Sequence, residues 1–297
     1  MEITKKKNIS IEGKHNKPIL CDYYFNTEEK PNPIVIFCHG YKGFKDWGAW
    51  DKMAECFAEN GFFFIKFNFS HNGTTLENPT EFLNIEAFGD NNYSIELDDL
   101  QSVIDWVLRP DFKYASHIDV SNLSLIGHSR GGAIAILKAA QEKRIKKLIT
   151  FASVSDLSKN FPTGDALEEW EEKGIYYITN SRTKQQLPHH YQFYRDFEEH
   201  KEDFNIKKST ENLEIPYLIT HGSSDTSVSI AASGQLFEWS SISKLLLVEN
   251  ANHVFNTSHP WKEESLPEKF TYLIEHTLDF LKTDNDTLIE EYGDNDD

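Results

Sequence analysis

A serine between two glycines is the feature of this sequence that most directly predicts chemistry. Residues 127–131 read Gly-His-Ser-Arg-Gly and fit the G-x-S-x-G pattern, with Ser129 at the centre. A short, mostly apolar run at 123–126 precedes the pattern, and good helix formers follow it from Ala133. A strand, a tight turn and a helix in this order raise the serine hydroxyl above the edge of a sheet. Ser129 is therefore the predicted nucleophile.

A serine hydroxyl is a weak nucleophile at neutral pH, so it needs a base and a third group that orients the base. In an open α/β sheet, reactive groups gather at the carboxyl ends of the strands. Asp225 and His253 each lie just after a predicted strand. We assign His253 as the base and Asp225 as the acid, which gives the chain order serine, acid, histidine.

The acid has one alternative, because Asp156 also follows a predicted strand, at 147–154. Asp225 is preferred, since residues 226–228 lead into a helix and would hold the carboxylate on a short, fixed loop. Three further histidines lie at strand ends beside a glycine, where we expect structural hydrogen bonds. They are His39, His128 and His221.

Acyl transfer also needs hydrogen-bond donors for the negative oxygen that develops in the transition state. The backbone N–H of Arg130 opens a predicted helix and gains from the helix dipole. We expect the second donor to be the backbone N–H of Tyr41, in the loop after the apolar strand at 33–38. An ordinary loop at 40–43 is the alternative interpretation of this segment.

The rest of the chain predicts the elements that position these residues. Strands and helices alternate, which is typical of an α/β fold with a mostly parallel central sheet and helices on both faces. An antiparallel pair at 8–25 is expected at the sheet edge. The remaining strands are predicted at 33–38, 62–69, 123–126, 147–154, 215–222 and 244–248, and the helices at 47–60, 94–108, 133–140, 230–239 and 267–281.

The predicted domain organisation is one core with an insertion. Residues 1–155 and 213–283 form the core, and residues 156–212 show no strand of the same kind. This segment predicts a mainly helical lid over Ser129, because so long a connection is seldom structureless. Its aromatic side chains either line the pocket or pack on the core. They are Trp170, Tyr176, Tyr177, Tyr191, Phe193, Tyr194 and Phe197.

Charge and composition exclude several classes of partner. The net charge of −18, from 30 basic and 48 acidic residues, disfavours nucleic acids and anionic membranes. Residues 284–297 carry seven acidic residues and no basic residue, and they predict a disordered tail. No apolar run is long enough to cross a membrane, and the N-terminal residues lack the apolar segment of a signal peptide. We therefore expect a cytoplasmic protein.

The sequence predicts neither a bound metal nor a cofactor. It contains no H-E-x-x-H motif, and Gly131 and Gly132 belong to the serine motif rather than to a nucleotide-binding fingerprint. The three cysteines form no C-x-x-C pair and indicate no disulfide framework. The expected partner is a small-molecule ester, with the chain as a monomer or homodimer.

Four segments give the sequence a family resemblance: 39–41, 127–131, 221–225 and 252–253. In this order they resemble the α/β-hydrolase superfamily, and within it the small dienelactone-hydrolase-like and prolyl-oligopeptidase-like serine esterases, including feruloyl (cinnamoyl) esterases. The resemblance spans residues 19–281, and the segment 67–73 is also similar to this subgroup. It implies Ser129, Asp225 and His253 as a catalytic triad, with the amides of Tyr41 and Arg130 as the oxyanion hole.

Two departures from the family pattern limit what the resemblance implies. Dienelactone hydrolases use a cysteine nucleophile where this chain has Ser129, and prolyl oligopeptidases carry a propeller for which this chain has no room.

The leading hypothesis is a serine carboxylic-ester hydrolase that acts on small to medium acyl or aryl esters through an acyl-enzyme. One alternative is an aminopeptidase-like peptidase or amidase of the same fold. The other is a non-catalytic ligand-binding protein that retains the fold.

Overall fold

The apolar segments form one eight-stranded sheet in the computed structural model, which describes residues 2–28 and 31–293. The strands of the described chain are β1 Ile3–Glu12, β2 Pro18–Asn26, β3 Asn32–Cys38, β4 Phe63–Asn68, β5 Ile118–His128, β6 Ile145–Phe151, β7 Ile175–Thr179, β8 Gln186–His190, β9 Tyr217–Gly222 and β10 Ser243–Val248. Eight of them form the main sheet in the order β1-β2-β4-β3-β5-β6-β9-β10, whereas β7 and β8 form a separate pair. In the main sheet β2 pairs antiparallel with both β1 and β4, and the other neighbours are parallel.

Ten helices accompany these strands in the described part of the chain, and none of them is long and apolar enough to cross a membrane. They are α1 Trp50–Glu59, α2 Ile85–Asp90, α3 Tyr93–Leu108, α4 Arg130–Gln141, α5 Asp165–Lys173, α6 Gln192–Glu199, α7 Ile206–Glu211, α8 Ala231–Trp239, α9 Glu268–Lys282 and α10 Asn285–Gly293. α3 begins one residue before the predicted start at 94, and Asn92 caps it. The side chain of Asn92 accepts the N–H of Ile95 at 2.9 Å, because an amide oxygen satisfies this free donor.

The central strands bury both of their faces, as the continuous apolar runs predict. In β3, Ile34 and Ile36 belong to an apolar cluster with α3 and α4, whereas Val35 and Phe37 belong to a cluster with α1 and α9. Successive side chains of a strand point to opposite faces, so the helices cover the sheet on both sides. The predicted α/β class is confirmed.

The insertion at 156–212 contains more than the expected helices. Besides α5, α6 and α7 it holds a two-stranded antiparallel sheet, β7 paired with β8. The sequence Ile-Tyr-Tyr-Ile-Thr of β7 consists of β-branched and aromatic residues, which favour a strand. A mainly helical insertion was therefore an incomplete prediction.

The prediction of a disordered tail at 284–297 is wrong for residues 285–293, which form α10. Leu288 and Tyr292, four residues apart, lie on one side of this helix and are buried against α9. The ring of Tyr292 stacks on Phe280 with centroids 6.3 Å apart. This apolar side orders the segment despite its acidic composition, and residues 294–297 lie outside the described part of the chain.

Asp99 on α3 gives the fold a specific pH dependence. Its Oδ2 accepts the N–H of Ser70 at 2.7 Å, whereas its buried Oδ1 has no partner among the described residues. Burial raises the pKa of Asp99 to about 7. The folded protein therefore keeps this proton at pH values where the unfolded chain has lost it. Consequently, the contribution of Asp99 to the free energy of unfolding should fall as the pH rises from about 4 to about 7.

We expect Asp99→Asn to remove this part of the pH dependence, because asparagine keeps the shape and cannot ionise. Between about pH 4.5 and about pH 8, the variant should gain roughly 2–4 kcal/mol in unfolding free energy relative to wild type. Urea unfolding of both proteins at the two pH values measures this. Asp111→Asn, which removes a carboxylate that is 80% exposed, is the control. An equal difference between wild type and Asp99→Asn at both pH values would contradict the prediction.

Candidate active site

Ser129 lies on the turn between β5 and α4, with φ 55° and ψ −123°. A non-glycine residue adopts this conformation only where its surroundings enforce it. Here the N–H of Ser129 donates to the carbonyl of Phe151 at 2.9 Å. A Cβ on Gly127 would lie 2.3 Å from the carbonyl oxygen of Gly131, so the strand and the helix approach too closely for a side chain. The two glycines of the motif thus permit the turn that presents Ser129.

The acid and the base predicted from the sequence are in contact. His253 Nδ1 lies 2.7 Å from Asp225 Oδ2. Because a carboxylate can only accept, Nδ1 donates and Nε2 of His253 is left with a free lone pair. The other oxygen of Asp225 accepts the backbone N–H groups of Ser227 at 2.7 Å and Val228 at 3.0 Å. The carboxylate is thereby fixed in orientation.

Electrostatics keep Asp225 ionised. Burial of its side chain raises the pKa, but hydrogen bonds from His221, His253 and Val228 stabilise the carboxylate. Together they outweigh the burial and hold the pKa well below its usual value. Asp225 is therefore a carboxylate at neutral pH, which suits a group that orients a histidine and stabilises its protonated form.

Asp156, the alternative acid, lies elsewhere. Its Oδ1 accepts the N–H of Ser158 at 2.9 Å, its side chain is 40% exposed, and its nearest cation is Lys159 at 4.0 Å. It borders a separate cavity that also contains Trp239. The geometry therefore brings Asp225, and not Asp156, to His253.

Two histidines that we expected to have structural roles support the acid and base directly. His128 Nε2 donates to the carbonyl of His253 at 2.9 Å, and burial lowers the pKa of His128 to about 3, so the ring is neutral. His221 Nε2 lies 3.0 Å from the carbonyl of Val228 and 3.2 Å from Asp225 Oδ2. Their positions at strand ends were visible in the sequence, but their partners depend on how distant loops meet.

The predicted oxyanion donors border the same cavity as the nucleophile. Ser129, His253, Tyr41 and Arg130 all line a cavity of about 410 Å³. The N–H of Arg130 is the first of α4, and the first N–H groups of a helix have no acceptor within it. Tyr41 lies in a tight turn in which Gly43 N–H donates to the carbonyl of Gly40 at 3.0 Å. Both residues thus border the cavity that Ser129 lines.

The insertion forms much of the cavity wall. Of the seven aromatic residues singled out from the sequence, Trp170, Tyr176 and Phe193 line the cavity. The other rings lie elsewhere: Tyr191, Tyr194 and Phe197 pack against Trp170 or Phe161, and Tyr177 is 53% exposed. Some of these aromatic rings therefore line the pocket, whereas others pack against neighbouring side chains or are exposed to solvent.

A buried polar layer joins the insertion to the oxyanion turn, and sequence reasoning missed it. The hydroxyl of Tyr41 lies 2.6 Å from Nε2 of His189, on β8. The guanidinium of Arg130 stacks 4.4 Å from the Tyr41 ring and donates to Glu96 Oε1 at 2.6 Å. Burial lowers the pKa of His189 to about 3, so its ring is neutral. The side chain of Tyr41 is thus held from two sides.

Two groups of three acidic or histidine residues in the described chain have ligand atoms close enough to share a metal ion. In the first, Asp22, Asp46 and Asp51 already surround the ammonium group of Lys66 at 2.6–2.7 Å. The second is an open surface group, Glu86, Asp90 and His190. Neither group borders the cavity at Ser129.

Comparisons with known proteins agree with this architecture. Residues 33–174 match the sequence model of the alpha/beta hydrolase fold family. No curated protein is significantly similar in sequence. Among solved structures, Est1E from Butyrivibrio proteoclasticus is 17% identical, with 93% of this chain and 98% of that chain covered and a TM-score of 0.69.

Two further structures extend the similarity. The esterase domain of a Rhodothermus marinus protein is 15% identical, with 94% of this chain and 98% of that chain covered and a TM-score of 0.62. Dienelactone hydrolase from Anabaena variabilis is 13% identical, with 98% and 99% covered and a TM-score of 0.61. These matches confirm the α/β-hydrolase fold that the four sequence segments predicted. The chain is therefore an α/β-hydrolase-fold protein.

Proposed function

We propose that this protein is a serine carboxylic-ester hydrolase that acts on small to medium acyl or aryl esters. The contact of His253 Nδ1 with Asp225 Oδ2 at 2.7 Å, beside the cavity that Ser129 lines, carries the proposal. This contact leaves Nε2 of His253 as a proton acceptor, which a serine nucleophile requires.

The reaction follows from these roles in two steps. Ser129 attacks the ester carbonyl while His253 takes its proton, and the amides of Tyr41 and Arg130 stabilise the developing oxyanion. His253 then protonates the departing alcohol, which leaves an acyl group on Ser129. Water, deprotonated by His253, attacks this acyl-enzyme and releases the acid. Asp225 holds the imidazole in orientation and stabilises its protonated form throughout.

The cavity wall supports aryl as well as alkyl esters. Phe161, Trp170, Tyr176 and Phe193 offer aromatic surfaces on which a ring can stack. The volume of about 410 Å³ suits a small or medium substrate. Est1E, which has a similar fold, has been solved with ferulic acid bound.

Covalent labelling tests the proposal against a non-catalytic binding protein of the same fold. A fluorophosphonate should label the wild-type protein, and peptide mapping should find the label on Ser129, because only an activated serine reacts. The protein should also turn over p-nitrophenyl butyrate faster than an aminoacyl p-nitroanilide, since an amide leaving group is harder to expel. Absence of labelling would overturn the hydrolase assignment, and faster anilide turnover would indicate a peptidase.

A further inference from the structure

Lys42 is the uncompensated cation of the cavity. Two cationic side chains line it, Arg130 and Lys42. Arg130 is neutralised by Glu96 at 2.6 Å. Lys42 has no carboxylate within ion-pair distance among the residues that the structure describes, and its Nζ lies 5.2 Å from the centroid of the Tyr41 ring. Lys42 therefore adds one unpaired positive charge to the wall.

The backbone at Lys42 indicates that this side chain is retained at a cost. Lys42 has φ 56° and occupies the third position of the turn that Gly43 closes onto Gly40. A turn of this kind favours glycine or asparagine at that position, because a side chain there is strained. Strained residues concentrate at ligand-binding sites, where a required side chain outweighs local conformational preference.

The surroundings make this charge attractive to an anion. None of the described residues that line the cavity is acidic, although the chain as a whole carries a net charge of −18. Partial burial and the positive charge of Arg130 lower the pKa of Lys42 from its usual value. A negative charge on a ligand would offset both effects by its attraction to the ammonium group.

We infer that Lys42 binds a carboxylate carried by the substrate, so that the preferred substrates are esters with a free carboxylate. This inference rests on the proposed function and names its substrate class. One ammonium matches one carboxylate in charge, and a charge-assisted hydrogen bond forms without further cations. The aromatic wall contacts the apolar part of the same molecule, while Ser129 receives the ester carbonyl.

Paired substrates of equal chain length test this selectivity. The p-nitrophenyl half-esters of adipic and suberic acid are compared with p-nitrophenyl hexanoate and octanoate, and kcat/KM is measured for each. The ratio of kcat/KM for the half-ester to kcat/KM for the neutral ester should be about tenfold higher in wild type than in Lys42→Met. A tenfold change corresponds to the free energy of one hydrogen bond to a charged group. Lys42→Arg should keep most of the ratio, because it keeps the charge.

The control is Lys159→Met, which removes an exposed lysine bordering a different cavity. Its ratio should equal that of wild type. Equal ratios in wild type and Lys42→Met for both chain lengths would overturn the inference and leave the hydrolase proposal standing. An equal fall in Lys159→Met would also overturn it, because the effect would then come from overall charge.

A binding measurement can test the carboxylate site independently of the proposed hydrolase activity. Calorimetry of adipate with Ser129→Ala needs no turnover, and binding should weaken in Ser129→Ala/Lys42→Met. If wild type hydrolyses none of the esters, the proposed function fails, while Lys42-dependent adipate binding still supports the carboxylate site. Inorganic phosphate that binds as tightly as adipate would overturn the carboxylate assignment in favour of a general anion site.

Discussion

Ser129→Ala should lower kcat for p-nitrophenyl butyrate by at least about 10⁴-fold, with little change in KM. The hydroxyl is the proposed attacking group, and the remaining residues can only bind the ester and polarise its carbonyl. Alanine should fit the same turn at φ 55°, because it has the same Cβ as serine. Stopped assays at high enzyme concentration, with background hydrolysis subtracted, measure the residual rate.

Ser121→Ala is the matched control, because Ser121 is an exposed serine whose hydroxyl donates to Asp119. It should hydrolyse the ester at the wild-type rate. The Ser129→Ala protein should also keep the wild-type thermal midpoint, which separates lost chemistry from lost folding. Equal rates in wild type and Ser129→Ala would refute the assigned nucleophile.

Asp225→Asn should lower kcat by about 10⁴-fold, whereas Asp156→Asn should leave it near the wild-type value. Asparagine can keep the hydrogen bonds from the N–H groups of Ser227 and Val228. Its amide can, however, donate to Nδ1 of His253, which moves the ring proton to Nε2. Nε2 is then no longer a base, and the negative charge that stabilises the protonated imidazole is lost.

The comparison between the two variants shows which carboxylate is the acid of the triad. Each changes one carboxylate into an amide of the same shape, so a general effect of charge removal would appear in both. Rate constants with p-nitrophenyl butyrate are sufficient, together with a circular dichroism spectrum of each variant. A severe loss in Asp156→Asn with normal turnover in Asp225→Asn would assign the acid to the other strand end.

Much of the architecture could be predicted because local sequence patterns report burial directly. The continuous apolar run of β3 is long enough for a strand and is covered on both faces, and the pattern around Ser129 requires a strand before it and a helix after it. The helix near the C-terminal end of the sequence was less predictable. The helix at 285–293 depends on two apolar residues in an acidic segment, whose contact with α9 no local pattern reports.

By itself, the sequence determined the fold class, the nucleophile candidate and a short list of acids and bases, since these follow from periodicity, glycine spacing and chain order. Only the tertiary structure decided which carboxylate meets His253, that His128 and His221 brace this pair, and which aromatic rings face the cavity. It also decided that Lys42 lines this cavity, where none of the described lining residues is acidic. Each of these contacts joins residues from separate loops or from distant parts of the chain, so their spacing depends on the packing of the whole sheet rather than on neighbouring residues.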